Sequence, residues 1–73
     1  MNVQHLIQMA NRIGEFFQAM PDHTEALEGI ANHIQKFWEP RMRSRLAEHL
    51  AQGGEGLLPI VREALDSHPA LLA

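Results

Sequence analysis

Apolar residues recur with a helical period along nearly the whole chain. Between Asn2 and Met20 they are Val3, Leu6, Ile7, Met9, Ala10, Ile13, Phe16, Phe17, Ala19 and Met20. At about 100° per residue all but Ala19 fall in one arc roughly 180° wide, opposite Gln4, His5, Gln8, Asn11, Arg12, Glu15 and Gln18. A helix on one side of a small bundle needs an apolar stripe only a little over ~100° wide. This stripe is wider, with Met9, Phe16 and Met20 along its edge. Pro21 ends the pattern, because proline disfavours helical geometry at the residue before it.

Asp22-His23-Thr24-Glu25 has capping-box spacing, with Asp22 in place of the usual Ser or Thr. It opens a second helix that places Ala26, Leu27, Ile30, Ala31, Ile34, Phe37 and Trp38 on one face. Pro40 ends or kinks that helix and suits the start of a third, whose stripe is Met42, Leu46 and Leu50. Gly53-Gly54-Glu55-Gly56 reads as a helix stop followed by a flexible turn. Pro59 opens a short fourth helix with Ile60, Val61, Ala64 and Leu65 inward, and Pro69 closes it, leaving the apolar tail Ala70-Leu71-Leu72-Ala73.

The periodicity therefore predicts an all-α, single-domain bundle over residues 1–73, with four helices near 2–20, 23–38, 41–52 and 59–68. Leu6, Ile7, Ala10, Ile13, Phe17, Leu27, Ile30, Ile34, Leu46, Leu50, Val61 and Leu65 are the expected core.

Size and composition narrow the function classes. A chain of 73 residues with 45% apolar and 21% charged side chains can fold, but it makes one small domain at most. It has no cysteine, which excludes disulfides, zinc–thiolate clusters and a thiol nucleophile. No signal peptide or membrane-length apolar run is visible, so a soluble, cytoplasmic chain is expected, without membrane partners. The net charge of −3 conceals a basic island, in which Lys36, Arg41, Arg43 and Arg45 face only Glu39. The remainder is acidic, and nucleic-acid affinity depends on neutralising phosphates, so no nucleic-acid partner is expected.

Catalytic and metal motifs are missing from the sequence. None of His5, His23, His33, His49 and His68 pairs with another at the i, i+4 spacing that puts two imidazoles on one helical face. Ser44 and Ser67 lie in no Gly-x-Ser-x-Gly elbow, and the glycines near position 54 are not followed by the Lys-Ser/Thr of a P-loop. No catalytic, cofactor-binding or metal-binding residue is expected, and the chain is read as a non-enzyme.

The segment Phe37-Trp38-Glu39-Pro40-Arg41-Met42-Arg43 stands apart. It gathers the only tryptophan, a helix-breaking proline, a methionine and two arginines into seven residues. Trp, Arg and Met are enriched at the cores of protein interfaces. On the helical wheel Arg43 projects from the apolar side of the third helix, so its guanidinium must snorkel or meet a carboxylate or backbone carbonyls. One reading makes Trp38 and Phe37 core, with Arg43 at the rim. Another makes the corner a docking surface with Trp38, Arg41 and Arg43 outward and Phe37 beneath. The wide first helix and the apolar tail favour the second. A third reading, a helix-turn-helix with residues 41–45 in the recognition helix, is disfavoured by the acidic remainder. The candidate partner-binding residues are Phe37, Trp38, Pro40, Arg41, Met42 and Arg43, joined by Met9 and Phe16. Surplus apolar surface also predicts self-association or marginal stability of the isolated chain.

Met9-Ala10-Asn11-x-Ile13-x-x-Phe16-Phe17, His33-Ile34-x-x-Phe37-Trp38-x-Pro40-Arg41-Met42-Arg43 and Gly54-x-Gly56-Leu57-x-Pro59 together cover much of the chain. In these blocks it resembles the delta subunit of the soluble NAD-dependent, molybdenum-containing formate dehydrogenase. The resemblance implies a non-catalytic accessory subunit with no cofactor of its own. In that family the large alpha subunit carries the molybdopterin cofactor and iron–sulfur clusters where formate becomes carbon dioxide. The beta subunit carries FMN and the NAD site, and the gamma subunit a further cluster. The implied partner is the alpha subunit, and the implied role is support of stability or assembly. A chaperone-like factor for molybdenum-cofactor insertion, absent from the finished enzyme, is the alternative.

Overall fold

The computed structural model of the protein describes residues 2–72. It contains four α-helices, α1 (Val3–Gln18), α2 (His23–Phe37), α3 (Pro40–Ala51) and α4 (Pro59–Ser67), followed by a 3-10 turn at Pro69–Leu72. No strand occurs among the described residues, so the all-α architecture expected from the periodicity is the one observed. None of these helices is long and apolar enough to cross a membrane.

The helix ends follow from local chemistry. The Asn2 side chain accepts a 2.8 Å bond from the Gln4 amide, satisfying a donor that would otherwise have no partner in the first turn of α1. Asp22 does the same for the Glu25 amide at 3.1 Å, as its capping-box position predicts. Prolines stand at the first positions of α3 and α4, where a missing N–H costs no helical bond. Helix α3 ends in a Schellman motif: Gly54 N–H donates to His49 C=O and Gly53 N–H to Leu50 C=O. Gly53 adopts φ 117°, a conformation that a side chain there would strain. Helix α1 stops at Gln18, two residues before the expected Met20, and α2 stops at Phe37 instead of Trp38.

Helix α2 lies against both α1 and α4, while α3 packs on α1 and on the terminal turn. The buried core holds Leu6, Ile7, Ala10, Leu27, Ile30, Ile34, Leu46, Val61 and Leu65 from the expected set. Ile13, Phe17 and Leu50 are only half-buried, and Ala26, Ala31, Trp38, Leu57, Ile60 and Ala64 complete the interior. Two glycines bring helices into close contact. A Cβ on Gly14 would collide with the Val61 methyl of α4, and one on Gly29 would enter the Phe17 ring of α1.

The glycine-rich connection is not a loose turn. Asn11 clamps it from α1, its Nδ2 donating to Gly56 C=O and its Oδ1 accepting from Leu58 N–H, both at 2.9 Å. His49 Nε2 meets Glu55 C=O at 2.7 Å, and Arg62 donates to Gly53 C=O at 2.9 Å. The apolar tail expected over residues 70–73 does not run on freely: through residue 72 the chain forms a 3-10 turn that packs against α3 and α4. Pro69 cannot extend α4, but the chain beyond it can still form one tight turn. Ala73 lies outside the described residues.

Candidate docking surface

The Phe37–Arg43 segment resolves into two opposite environments. Trp38 is the C-cap of α2 with φ −92° and ψ 137°, so its side chain leaves the helical period and enters the core. It is 5% exposed, whereas Phe37 is 70% exposed. The expected order, with Trp38 outward and Phe37 beneath, is therefore reversed. The cause is the extended backbone of Trp38, which takes its side chain off the helical period; Glu39 after it is also extended, as the residue before Pro40 must be.

Arg43 takes one of the routes its wheel position allowed. Its Nη1 donates to Trp38 C=O at 3.0 Å and to Gln35 C=O at 3.1 Å, satisfying carbonyls at the end of α2. Its buried Nε finds no partner. Met42 is half-buried against the core, and Pro40 and Arg41 are exposed. The structure thus keeps Trp38, Met42 and Arg43 engaged within the chain and leaves Phe37, Pro40 and Arg41 outward.

A second surface forms between α1 and α2. A groove of about 340 Å³ is lined by Arg12, Ile13, Phe16 and Phe17 from α1 and by His33 from α2. Phe17 lies edge-on to Phe16 with centroids 5.1 Å apart, and it rests over Gly29. The absent side chain at position 29 is what lets the ring sink between the helices. Phe16 remains 73% exposed. The His33 and Phe37 rings lie 4.7 Å apart, one helical turn from each other, and carry the aromatic surface toward the end of α2. Met9 is half-buried on the α1 side. Three of the expected partner-binding residues, Met9, Phe16 and Phe37, thus lie along one face of the α1–α2 hairpin.

Of the lining residues only Phe16 was expected to bind a partner; Ile13 and Phe17 were expected as core, and Arg12 and His33 were assigned to neither set. Arg12–Phe16 and His33–Phe37 are each spaced i, i+4, so both pairs share a helical face. What the sequence does not carry is the docking of α1 on α2 that brings the two pairs together.

The rest of the surface offers less. A wider depression on α4, lined by Pro59, Arg62, Glu63, Asp66 and Ser67, is shallow and charged, and the Arg62 guanidinium is bound to Gly53 C=O. Among the described residues, His23 Nε2 meets Glu63 Oε1 at 3.0 Å and Arg45 pairs with Glu48 at 3.7 Å, both contacts solvent-exposed. No three His, Cys, Asp or Glu residues among those described are placed to hold a metal ion.

Comparison with known proteins places the chain. Neither the curated proteins nor the solved structures gave a match. The sequence profile of a family described as NADH-dependent formate dehydrogenase delta subunit FdsD matches residues 5–65 of the 73. That span holds both walls of the α1–α2 groove, the Trp38–Arg43 corner and the Asn11 clamp. The chain belongs to the formate dehydrogenase delta-subunit family.

Proposed function

We propose that the chain is a non-catalytic accessory subunit of a cytoplasmic NAD-dependent formate dehydrogenase. In this reading it binds the large catalytic subunit and supports the stability or assembly of the complex that oxidises formate to carbon dioxide. The observation that carries the proposal is the family match across residues 5–65. An exposed aromatic groove on a chain this small agrees with it, because monomers rarely leave such surface bare without a use. The redox chemistry is assigned to the other subunits and their cofactors.

The test is co-expression of a tagged form of this chain with the catalytic subunits, followed by purification of active enzyme. Recovery of the chain at a fixed ratio with the active complex is expected. Recovery only with cofactor-free large subunit would replace the reading with that of a transient maturation factor. No recovery with either would refute it.

A further inference from the structure

We infer that the α1–α2 groove seats an amphipathic helix of the large catalytic subunit, one whose apolar stripe is flanked by acidic side chains. The inference rests on the accessory-subunit reading and adds the surface and the chemistry of the contact.

Three observations lead to it. First, the two large hydrophobic side chains exposed among the described residues, Phe16 at 73% and Phe37 at 70%, both belong to this surface. Phe16 lines the groove, and Phe37 stacks on His33, which also lines it. Exposed aromatics around an apolar depression are the form that binding hot spots take.

Second, the charge is one-sided. Arg12 is the one formally charged residue of the lining, Lys36 stands one helical turn beyond His33, and Glu15, which precedes Phe16, is not among the lining residues. Within a chain of net charge −3 this is a local cationic rim. The ion pairs among the described residues involve neither Arg12 nor Lys36, so both guanidinium and ammonium are available to carboxylates of a partner. A second copy of this chain fits poorly. A two-fold contact through the same patch would set the cationic rim against itself.

Third, the shape suits a helix. No strand among the described residues offers an edge for an extended peptide to join. Two neighbouring helices offer a groove in which a third can lie with anchors at i, i+3 or i+4, and i+7. A standard interface needs about 800 Å² from each partner, roughly a sixth of the 4676 Å² of this chain.

The affinity of the chain for the purified large catalytic subunit tests this. Four forms are compared: wild type, the double variant Phe16→Asp/Phe37→Asp, the double variant Arg12→Glu/Lys36→Glu, and Arg41→Glu as a cation outside the groove. Circular dichroism checks folding, and all the altered side chains are exposed. The aromatic variant should bind at least about thirtyfold more weakly, the loss typical of an anchor residue. The charge-reversed variant should bind on the order of tenfold more weakly, with a flatter salt dependence, and it keeps the test open if the aromatic variant misfolds. Arg41→Glu should stay within about twofold.

Wild-type affinity in both double variants would overturn the groove assignment and leave the accessory-subunit reading standing. No binding by the wild-type chain would overturn both. Sedimentation adds a further arm. If Phe16→Asp/Phe37→Asp converts a dimer to a monomer while binding to the catalytic subunit is unchanged, the occupant is a second copy and the inference is wrong.

Discussion

Phe37 and Trp38 are adjacent, both large and both aromatic, yet one is bare and the other is among the core residues. The corner containing Trp38 and the groove flanked by Phe37 start from similar ingredients: aromatic rings, an arginine and a helix end. They differ in where their polar groups go. At the corner, Arg43 Nη1 donates to the carbonyls of Gln35 and Trp38, so that region joins α2 to α3. At the groove, Arg12 and Lys36 make no ion pair among the described residues, and the rings of Phe16 and Phe37 face outward. Residue type marks both regions as interface-like, and only the backbone path at Pro40 separates the internal joint from the external surface.

Substitutions that exchange these roles should separate the two regions, beginning with the most damaging. Trp38→Ala should cost roughly 3–5 kcal/mol of folding stability, since it empties a buried indole site in a chain with a small core. Denaturant titration should show a variant that is largely unfolded or only marginally folded. A loss below about 1 kcal/mol would mean that Trp38 is not a core residue. Arg43→Ala should cost about 1–2 kcal/mol by leaving the Gln35 and Trp38 carbonyls to partial solvation. Arg43→Lys should recover only part of this, because an ammonium lacks the guanidinium fork. The same titration checks both variants, and full rescue by Lys would contradict the assigned geometry. Phe37→Ala and Phe16→Ala should change stability by no more than about 0.5 kcal/mol, because both rings are already largely in water. A clear loss of stability in either would make the groove rim part of the folded core.

The elements of the fold were largely legible in the sequence, because helical period, capping residues and proline stops are local signals. Asp22, Pro40, Gly53 and Pro59 mark the boundaries where the structure places them, to within a residue or two. What escaped was decided by tertiary approach. Asn11 reads as one polar residue on the solvent face of α1, yet it holds the loop before α4 through bonds to Gly56 and Leu58. Nothing near position 11 announces partners more than forty residues away. Helical period places Phe37 inward, yet the structure leaves it exposed and sends Trp38 into the core just beyond the end of α2. For the candidate surface, Met9, Phe16 and Phe37 could be chosen from the width of the α1 stripe and from residue type. Arg12 and His33 could not, since their importance arises only when Phe17 sinks over Gly29 and brings the two helices together.

The most direct test of the account is hydroxyl-radical footprinting of this chain, alone and in complex with the catalytic subunit. In the free chain, Phe16 and Phe37 should label readily and Trp38 should be strongly protected, in keeping with their exposures of 73%, 70% and 5%. On assembly, labelling of Phe16 and Phe37 should fall several-fold, while Trp38 stays as it was and Arg41 remains accessible. If Phe16 and Phe37 label equally in both states while protection appears around Arg41, the docking face is the corner, and the groove has been misassigned.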